Sequence, residues 1–330
     1  MKKFTAVLLC VLIIILTFAG CSEYKDCPVE IQGAYITPGI YAYYLDKVMT
    51  KPKAYSAKAD DEESIKAAVL ELCKNHIALA SFMESEKIVL GNEYKSRVAS
   101  RTEGLWSLFS DHYQKLGILK SDITKVMTFE ESKKQLVQYY YGEGAEKEVS
   151  EDSLKQSFVE LYIGFKAFEA PLTKVNSKGE TVALSDKEKE KVIEEFREMA
   201  RKANNGTSID KIYEDYCSKQ GLVVTSDLAV SLMKDGDPMY DDDFFERVST
   251  ISHGYTGIII SEKTVYVVQR CTIATSDEDA FAQYRTEVLE HVKMPAVEKQ
   301  IASLAKGYEP DIREKQAEAI YQTVASLHEQ

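Results

Sequence analysis

The stretch YTGIIISEKTVYVVQRC at residues 255–271 decides how the chain is read. Two runs rich in Ile, Val and Tyr, Tyr255–Ile260 and Thr264–Cys271, flank the polar triplet Ser261-Glu262-Lys263, which is the pattern of a β-hairpin. A lone hairpin is marginal in water, so partner strands and a helical cover are expected nearby. The preceding sequence supplies both. Ser150–Ile163 reads as a helix and Phe165–Leu172 as a strand leading into the turn Asn176-Ser177-Lys178-Gly179. Ser185–Asn204 is a charged amphipathic helix broken by Gly206, and Ser208–Ser218 is a shorter one. Leu222–Thr225 reads as a brief strand and Asp241–Val248 as another helix. Residues 165–273 therefore alternate strands and helices as a small α+β unit.

Helices flank this unit on both sides. Thr37-Pro38 is an N-cap followed by proline at the first helical position, and Ile40, Tyr43, Tyr44 and Met49 continue an apolar face. From Ser64 onward Ile65, Val69, Leu72, Cys73, His76, Ile77, Ala80 and Met83 recur at helical spacing. A further helix follows Gly91-Asn92, then a short one at Ser121–Met127 and another at Thr128–Tyr141, ended by Gly142-Glu143-Gly144. Asp277–His291 and Lys293–Leu304 return to helix, and Pro310 opens a last one. The expected division is 1–20 leader, 21–33 tether, 34–149 helical module, 150–275 α+β unit, and 276–330 helices that pack back on the module.

The first residues set the compartment. Met1-Lys2-Lys3 precedes the apolar run Phe4–Phe18, which ends in Ala19-Gly20-Cys21. That run is short for a membrane span and has the layout of a secretory signal. Small residues before a cysteine resemble a bacterial lipobox, in which Cys21 takes up a diacylglycerol; Phe18 stands where Leu is usual. The expected location is the bacterial cell membrane, lipid-anchored on the extracytoplasmic face. The 330 residues carry 53 acids against 41 Lys and Arg, a formal charge of −12. Loss of residues 1–20 removes Lys2 and Lys3 and leaves −14. Such acidity argues against a nucleic-acid partner held by phosphate contacts. Lipid tethering suits it better than adhesion by charge.

Several motifs in this layout resemble the PrsA/SurA-type extracytoplasmic foldases, with a helical chaperone module and a parvulin-type peptidyl-prolyl isomerase domain. Residues Ile36–Leu45 resemble the opening helix of the family and Ala68–Cys73 its second. Val149–Leu154 resembles the helix that leads into the parvulin domain, and Phe165-Lys166-Ala167-Phe168 its first strand. Thr225–Ala229 stands at a Gly-Gly-Asp-Leu-Gly, Gly236–Met239 at a Gly-Gln-Met, Asp243–Glu246 at the acidic-Phe helix, and Thr264–Val268 at the closing strand. The resemblance implies a proline-gripping surface retained at Met239 and at Phe244 or Phe245. It also places Glu169 and Tyr266 where active parvulins carry histidines, so the domain is expected to be degenerate in catalysis. A Glu169 to Tyr266 hydrogen bond across adjacent strands would replace the histidine pair structurally.

The remaining signals are compositional. One tryptophan stands against 20 tyrosines. Tyr43 and Tyr44 on the first helix and Tyr140 at the end of another offer large amphipathic rings, either as bundle core or as a groove for unfolded polypeptides. Asp241-Asp242-Asp243 reads as a solvated helix N-terminus in preference to a calcium loop, because no glycine stands at the sixth loop position and Pro238 intrudes. The five histidines show no HExxH or paired spacing, and no P-loop, GxGxxG or Gly-x-Ser-x-Gly motif is present. No cofactor or metal is called for. Cys217 and Cys271 admit a disulfide or buried thiols. The function implied is a membrane-anchored chaperone for newly secreted polypeptides. A working prolyl isomerase with an altered site and a non-catalytic envelope scaffold stand as alternatives, and assembly as a homodimer is left open.

Overall fold

In a computed structural model, the structure describes residues 23–329 apart from Thr225, Pro238, Asp242, Ser276 and Asp277. The leader and Cys21 lie outside the described residues. The chain divides into two units, one comprising residues up to Glu148 together with those from Lys293, the other Val149–Val292.

Unit 1 begins with strand β1 (Val29–Ile31), which lies between β2 (Ala34–Ile36) and β9 (Pro310–Ile312) in an antiparallel sheet. The expected tether is therefore partly a strand. Val29 and Ile31, two positions apart, share a face and are wholly buried, while Glu30 points the other way. Three residues are too few to show this alternation in sequence. Pro310 starts the edge strand β9 instead of a helix, a place where its missing N–H leaves no ladder bond unmade.

Four helices follow: α1 (Pro38–Thr50), α2 (Glu62–Ser85), α3 (Asn92–Lys115) and α4 (Lys120–Tyr141). The Thr37 hydroxyl caps α1 by accepting from the Ile40 N–H at 3.3 Å, and it donates to Asp122 Oδ1 at 2.7 Å. Asp122 Oδ2 in turn accepts the Leu119 N–H at 3.0 Å, closing the start of α4. A Cβ at Gly39 would sit 2.1 Å from Asp122 Oδ2, so only glycine permits this approach. The stretch expected as two helices, broken at Thr128, is the single helix α4. Thr128 bonds the Thr124 carbonyl at 2.8 Å from within the helix instead of capping a new one. Inside α4 the buried Glu131 carboxylate is met by Arg101 at 2.5 Å and Lys134 at 3.2 Å.

The last helix, α10 (Glu314–His328), buries Ala317, Tyr321 and Val324 in the same core as α1 and α2. Asp46 Oδ1 on α1 lies 3.1 Å from His112 Nε2 and 3.0 Å from His328 Nε2. A carboxylate thus joins two histidines more than two hundred positions apart, a link that local spacing cannot reveal.

Unit 2 opens with α5 (Glu151–Leu161) and β3 (Tyr162–Pro171), then the hairpin β4 (Thr173–Val175) and β5 (Thr181–Ala183). Helices α6 (Asp186–Asn204) and α7 (Ile209–Lys219) lead to β6 (Ser231–Lys234), α8 (Phe244–Thr250), β7 (Thr256–Ile260) and β8 (Thr264–Cys271). The strands form an antiparallel sheet of order β6-β3-β8-β7. One face, with Phe168, Val265 and Val267, packs on α6 and α7 through Phe196, Met199 and Ile212. The other, with Phe165, Ile259 and Val268, packs on Phe244 and Val248 of α8. The strand expected at Leu222–Thr225 is not formed by the described residues there. Leu222 and Val223 are exposed, and β6 forms later because it buries Met233 against β3.

Helix α9 (Glu278–Ala305) is continuous through Pro295, where two helices were expected. Its residues to Val292 belong to unit 2, where Phe281 and Tyr284 pack on Phe158 at 5.9 and 5.8 Å. The division between the units, expected between 275 and 276, lies between Val292 and Lys293, inside this helix. The α+β class is as the sequence indicates. Cys27, Cys73, Cys217 and Cys271 are all free thiols, so no Cys217–Cys271 bridge is present.

Two outcomes are expected for unit 1. Gly39→Ala should cost about 1–3 kcal/mol in chemical denaturation, as overpacking does, and Asp122→Ala should recover part of that loss in the double variant. His76, stacked on Phe129 at 4.9 Å and 2.7 Å from the Tyr44 hydroxyl, is held neutral by burial, its pKa lowered to about 4. The unfolded chain binds a proton at His76 below about pH 6.5 and the folded chain does not, so stability should fall with pH from there to about 4. His76→Gln should flatten that part of the profile.

Candidate functional site

The chemistry-bearing surface of unit 2 is the sheet face that carries α8. Antiparallel register sets Glu169 opposite Tyr266, Ala167 opposite Val268 and Phe165 opposite Arg270, so odd residues of β3 and even residues of β8 share this face. Arg270 Nη1 donates to the carbonyls of Ser249 and Ile251, which ties β8 to the end of α8. The floor is aromatic. Phe244 lies 5.8 Å from Phe165, 5.1 Å edge-on from Tyr266, and 4.5 Å from the stacked ring of Tyr240.

Electrostatics separate this surface from a histidine-based one. The Tyr266 phenol is pushed above its ordinary pKa first by burial, then by the Glu169 charge and by its hydrogen bond to that carboxylate. Tyr240 is raised likewise by burial, then by the charge of Asp237, with a smaller contribution from Glu169. Both phenols are therefore neutral donors at physiological pH, and the Glu169 charge opposes ionisation of Tyr266. Twisting a prolyl amide over its barrier of about 18–20 kcal/mol breaks conjugation and gathers the lone pair on nitrogen. The exposed Glu169 carboxylate keeps this spot hydrated, whereas such catalysis draws on desolvation.

Beside the floor lies an open cleft of about 340 Å³, lined by Val230, Ser231 and Leu232 of the β6 edge, Asp237, Met239 and Tyr240 of the next turn, and Ala280, Gln283 and Tyr284 of α9. The Asp237 carboxylate fixes the turn by accepting the Met239 N–H at 3.0 Å. Tyr240 belongs to both features, one ring serving the aromatic floor and the cleft wall.

The sequence-selected residues distribute unevenly. Glu169 and Tyr266 face one another, and Met239 stands 83% exposed at the cleft. Phe244, expected to grip proline, is only 1% exposed and is a floor residue that no ligand reaches without rearrangement. Phe245 is half-buried against the same cluster. The tyrosines proposed as a client groove turn inward. Tyr44 is 1% exposed with its hydroxyl on His76, and Tyr43 is half-buried at 6.2 Å from Tyr113. Tyr140 is half-buried, and its hydroxyl accepts from Gln300 Nε2 at 3.2 Å. Their rings supply core and rim, as amphipathic aromatics do when a polar partner is within reach of the hydroxyl. Tyr240, Leu232 and Tyr284 were missed. The one local signal was Tyr240 beside Met239, since the cleft draws on three separate segments.

Among solved structures, the chain is similar to the foldase protein PrsA from Streptococcus pneumoniae, at 12% identity and a TM-score of 0.39, over 90% of this chain and 99% of that one. It is similar to the foldase protein PrsA from Lactococcus lactis, at 11% identity and a TM-score of 0.37, over 90% and 98%. A third similarity is to a structure reported for PEB4 and Cj1289, SurA-like chaperones of Campylobacter jejuni, at 11% identity and a TM-score of 0.27, over 87% and 98%. No family model matches the sequence, and no curated protein matches it.

Glu169→Gln should lower the titration midpoint of Tyr266, because it removes the negative charge that disfavours the phenolate. Tyrosinate absorbance measured against a Tyr266→Phe reference reads this directly. An unchanged midpoint would mean that burial alone sets it.

Proposed function

We propose that this chain is an extracytoplasmic chaperone, anchored by a lipid on Cys21, whose parvulin-like unit grips polypeptide without isomerising prolyl bonds. The observation that carries the reading is the Glu169 to Tyr266 pair across β3 and β8, set over an aromatic floor and next to an open cleft. Such a surface offers apolar contact and hydrogen bonding to an extended chain. It lacks the paired imidazoles to which the resemblance assigns turnover. The clients are unfolded or newly secreted polypeptides, bound by shallow, sequence-tolerant contacts. Unit 1 supports this with exposed apolar side chains at Leu108 and Phe109 on α3 and at Leu119 ahead of α4, in place of the inward tyrosines. No helix among the described residues is long and apolar enough to cross a membrane. Membrane attachment on this reading comes from acylation alone.

The test uses the soluble chain from Ser22 onward. It should suppress aggregation of an unfolded client while leaving Xaa-Pro exchange at its uncatalysed pace, about tens to hundreds of seconds at 25 °C. Acceleration for any residue before proline would return the isomerase reading, and failure to protect the client would remove the chaperone. Met239→Asp, a change at an exposed position, should weaken client binding by about 1 kcal/mol, roughly fivefold.

A further inference from the structure

Residues 21–33 taken as free chain would span up to about 45 Å, enough to lift the body well away from a bilayer. The structure leaves far less of that length free. β1 is the central strand of its sheet, and residues at the other end of the chain hold the segment ahead of it. The Arg313 N–H donates to the Pro28 carbonyl at 2.8 Å, Arg313 Nη1 donates to the Cys27 carbonyl at 3.4 Å, and Gln316 Nε2 donates to the Lys25 carbonyl at 3.3 Å. Glu23–Asp26 is already a 3-10 turn. Lys25 is thus the first position, among the described residues, that another part of the chain holds. It lies four positions after Cys21, at most about 14 Å of chain.

Charge at this end of unit 1 is compatible with such closeness. Residues 25–36 and 306–315, which contain the sheet, carry four basic and five acidic side chains, a net −1 over 22 residues and the same average as −14 over the 310 residues from 21 onward. Repulsion from anionic headgroups falls off over a Debye length of about 8 Å. At that density charge neither favours nor bars this end over another face, and the short chain from Cys21 to Lys25 is what selects it.

Resting on the reading of Cys21 as the lipid-bearing residue, we propose that the β2-β1-β9 end of unit 1 sits at the headgroup level of the bilayer. The membrane surface is its partner, and the lipid is held by a clasp instead of a leash. Arg313 does the clasping through backbone carbonyls, so α10, at the end of the described chain, sets the height of the body.

The test places the acylated full chain in vesicles of phosphatidylglycerol and phosphatidylethanolamine, with a donor dye on exposed Lys315→Cys, across the clasp from Lys25, in a Cys271→Ser background and acceptors in the headgroups. Energy transfer should give a closest approach within about 30 Å, the chain from Cys21 to Lys25 plus the width of the clasp and a dye arm, against about 45 Å or more for a free tether. A flexible Gly/Ser insertion between Ser22 and Glu23 should cut transfer at least twofold. A separation beyond that limit, or no change on insertion, would overturn the proposal. Flotation after a salt wash tells the two readings apart: protein lost from the vesicles overturns the anchor itself and this inference with it, whereas protein retained at a large separation overturns only the clasp.

Discussion

Because β3 pairs antiparallel with β8 over Gly164–Pro171 and Thr264–Cys271, the facing of every side chain in the centre of unit 2 is fixed at once. A slip of β3 by one residue would turn Phe168 and Ala170 away from α6 and α7 and drive Glu169 into that apolar layer. Burying an unpaired carboxylate there costs several kcal/mol, roughly what breaking a buried charge network costs. The hydrophobic alternation of two strands therefore enforces the position of the polar pair at the candidate site. The same register lays Phe165 and Tyr266 on either side of Phe244, and so shapes the aromatic floor beneath it.

Unit 1 is organised by contacts between distant parts of the chain. β1 needs β9, and α1 is met by Asp122 at its start and by α10 along its length. Three polar centres mark these joints: Thr37 with Asp122, Tyr44 with His76, and Asp46 between two histidines. Each spends a polar residue inside or at the rim of an apolar core, where hydrogen bonding must offset desolvation. The glycine at 39 is a direct consequence, since a close carboxylate leaves no room for a side chain.

What could be read from sequence follows the length of each signal. The α2 face repeats through Ile65, Val69, Cys73 and Ile77, and the β7–β8 hairpin alternates over two runs, so both were legible. β1 and β6 have three and four residues, too short for a period to stand out, and their existence depends on partners distant in sequence. Thr128 looked like a cap and Pro295 lies close to an expected gap, yet tertiary packing carries α4 and α9 through both positions. Glu169 and Tyr266 were selected because each occupies a strand position of a recognisable pattern, and the register sets them opposite one another. The cleft was not legible, because Val230, Ser231 and Leu232, then Asp237, Met239 and Tyr240, and finally Ala280, Gln283 and Tyr284 meet only in the folded chain. Tyrosine count alone left core and client groove both open, and the hydroxyl partners His76 and Gln300 explain why Tyr44 is buried and Tyr140 half-buried.

Binding without turnover is the claim on which the functional account stands. Exchange NMR on a proline-containing peptide, with and without the soluble chain, observes both halves in one sample. The account predicts shifted and broadened peptide resonances that locate binding at the Met239 cleft, with no cross-peaks between the cis and trans forms. Cross-peaks that appear on adding protein and disappear with Glu169→Ala would contradict it, since they would make the Glu169 to Tyr266 surface an isomerase.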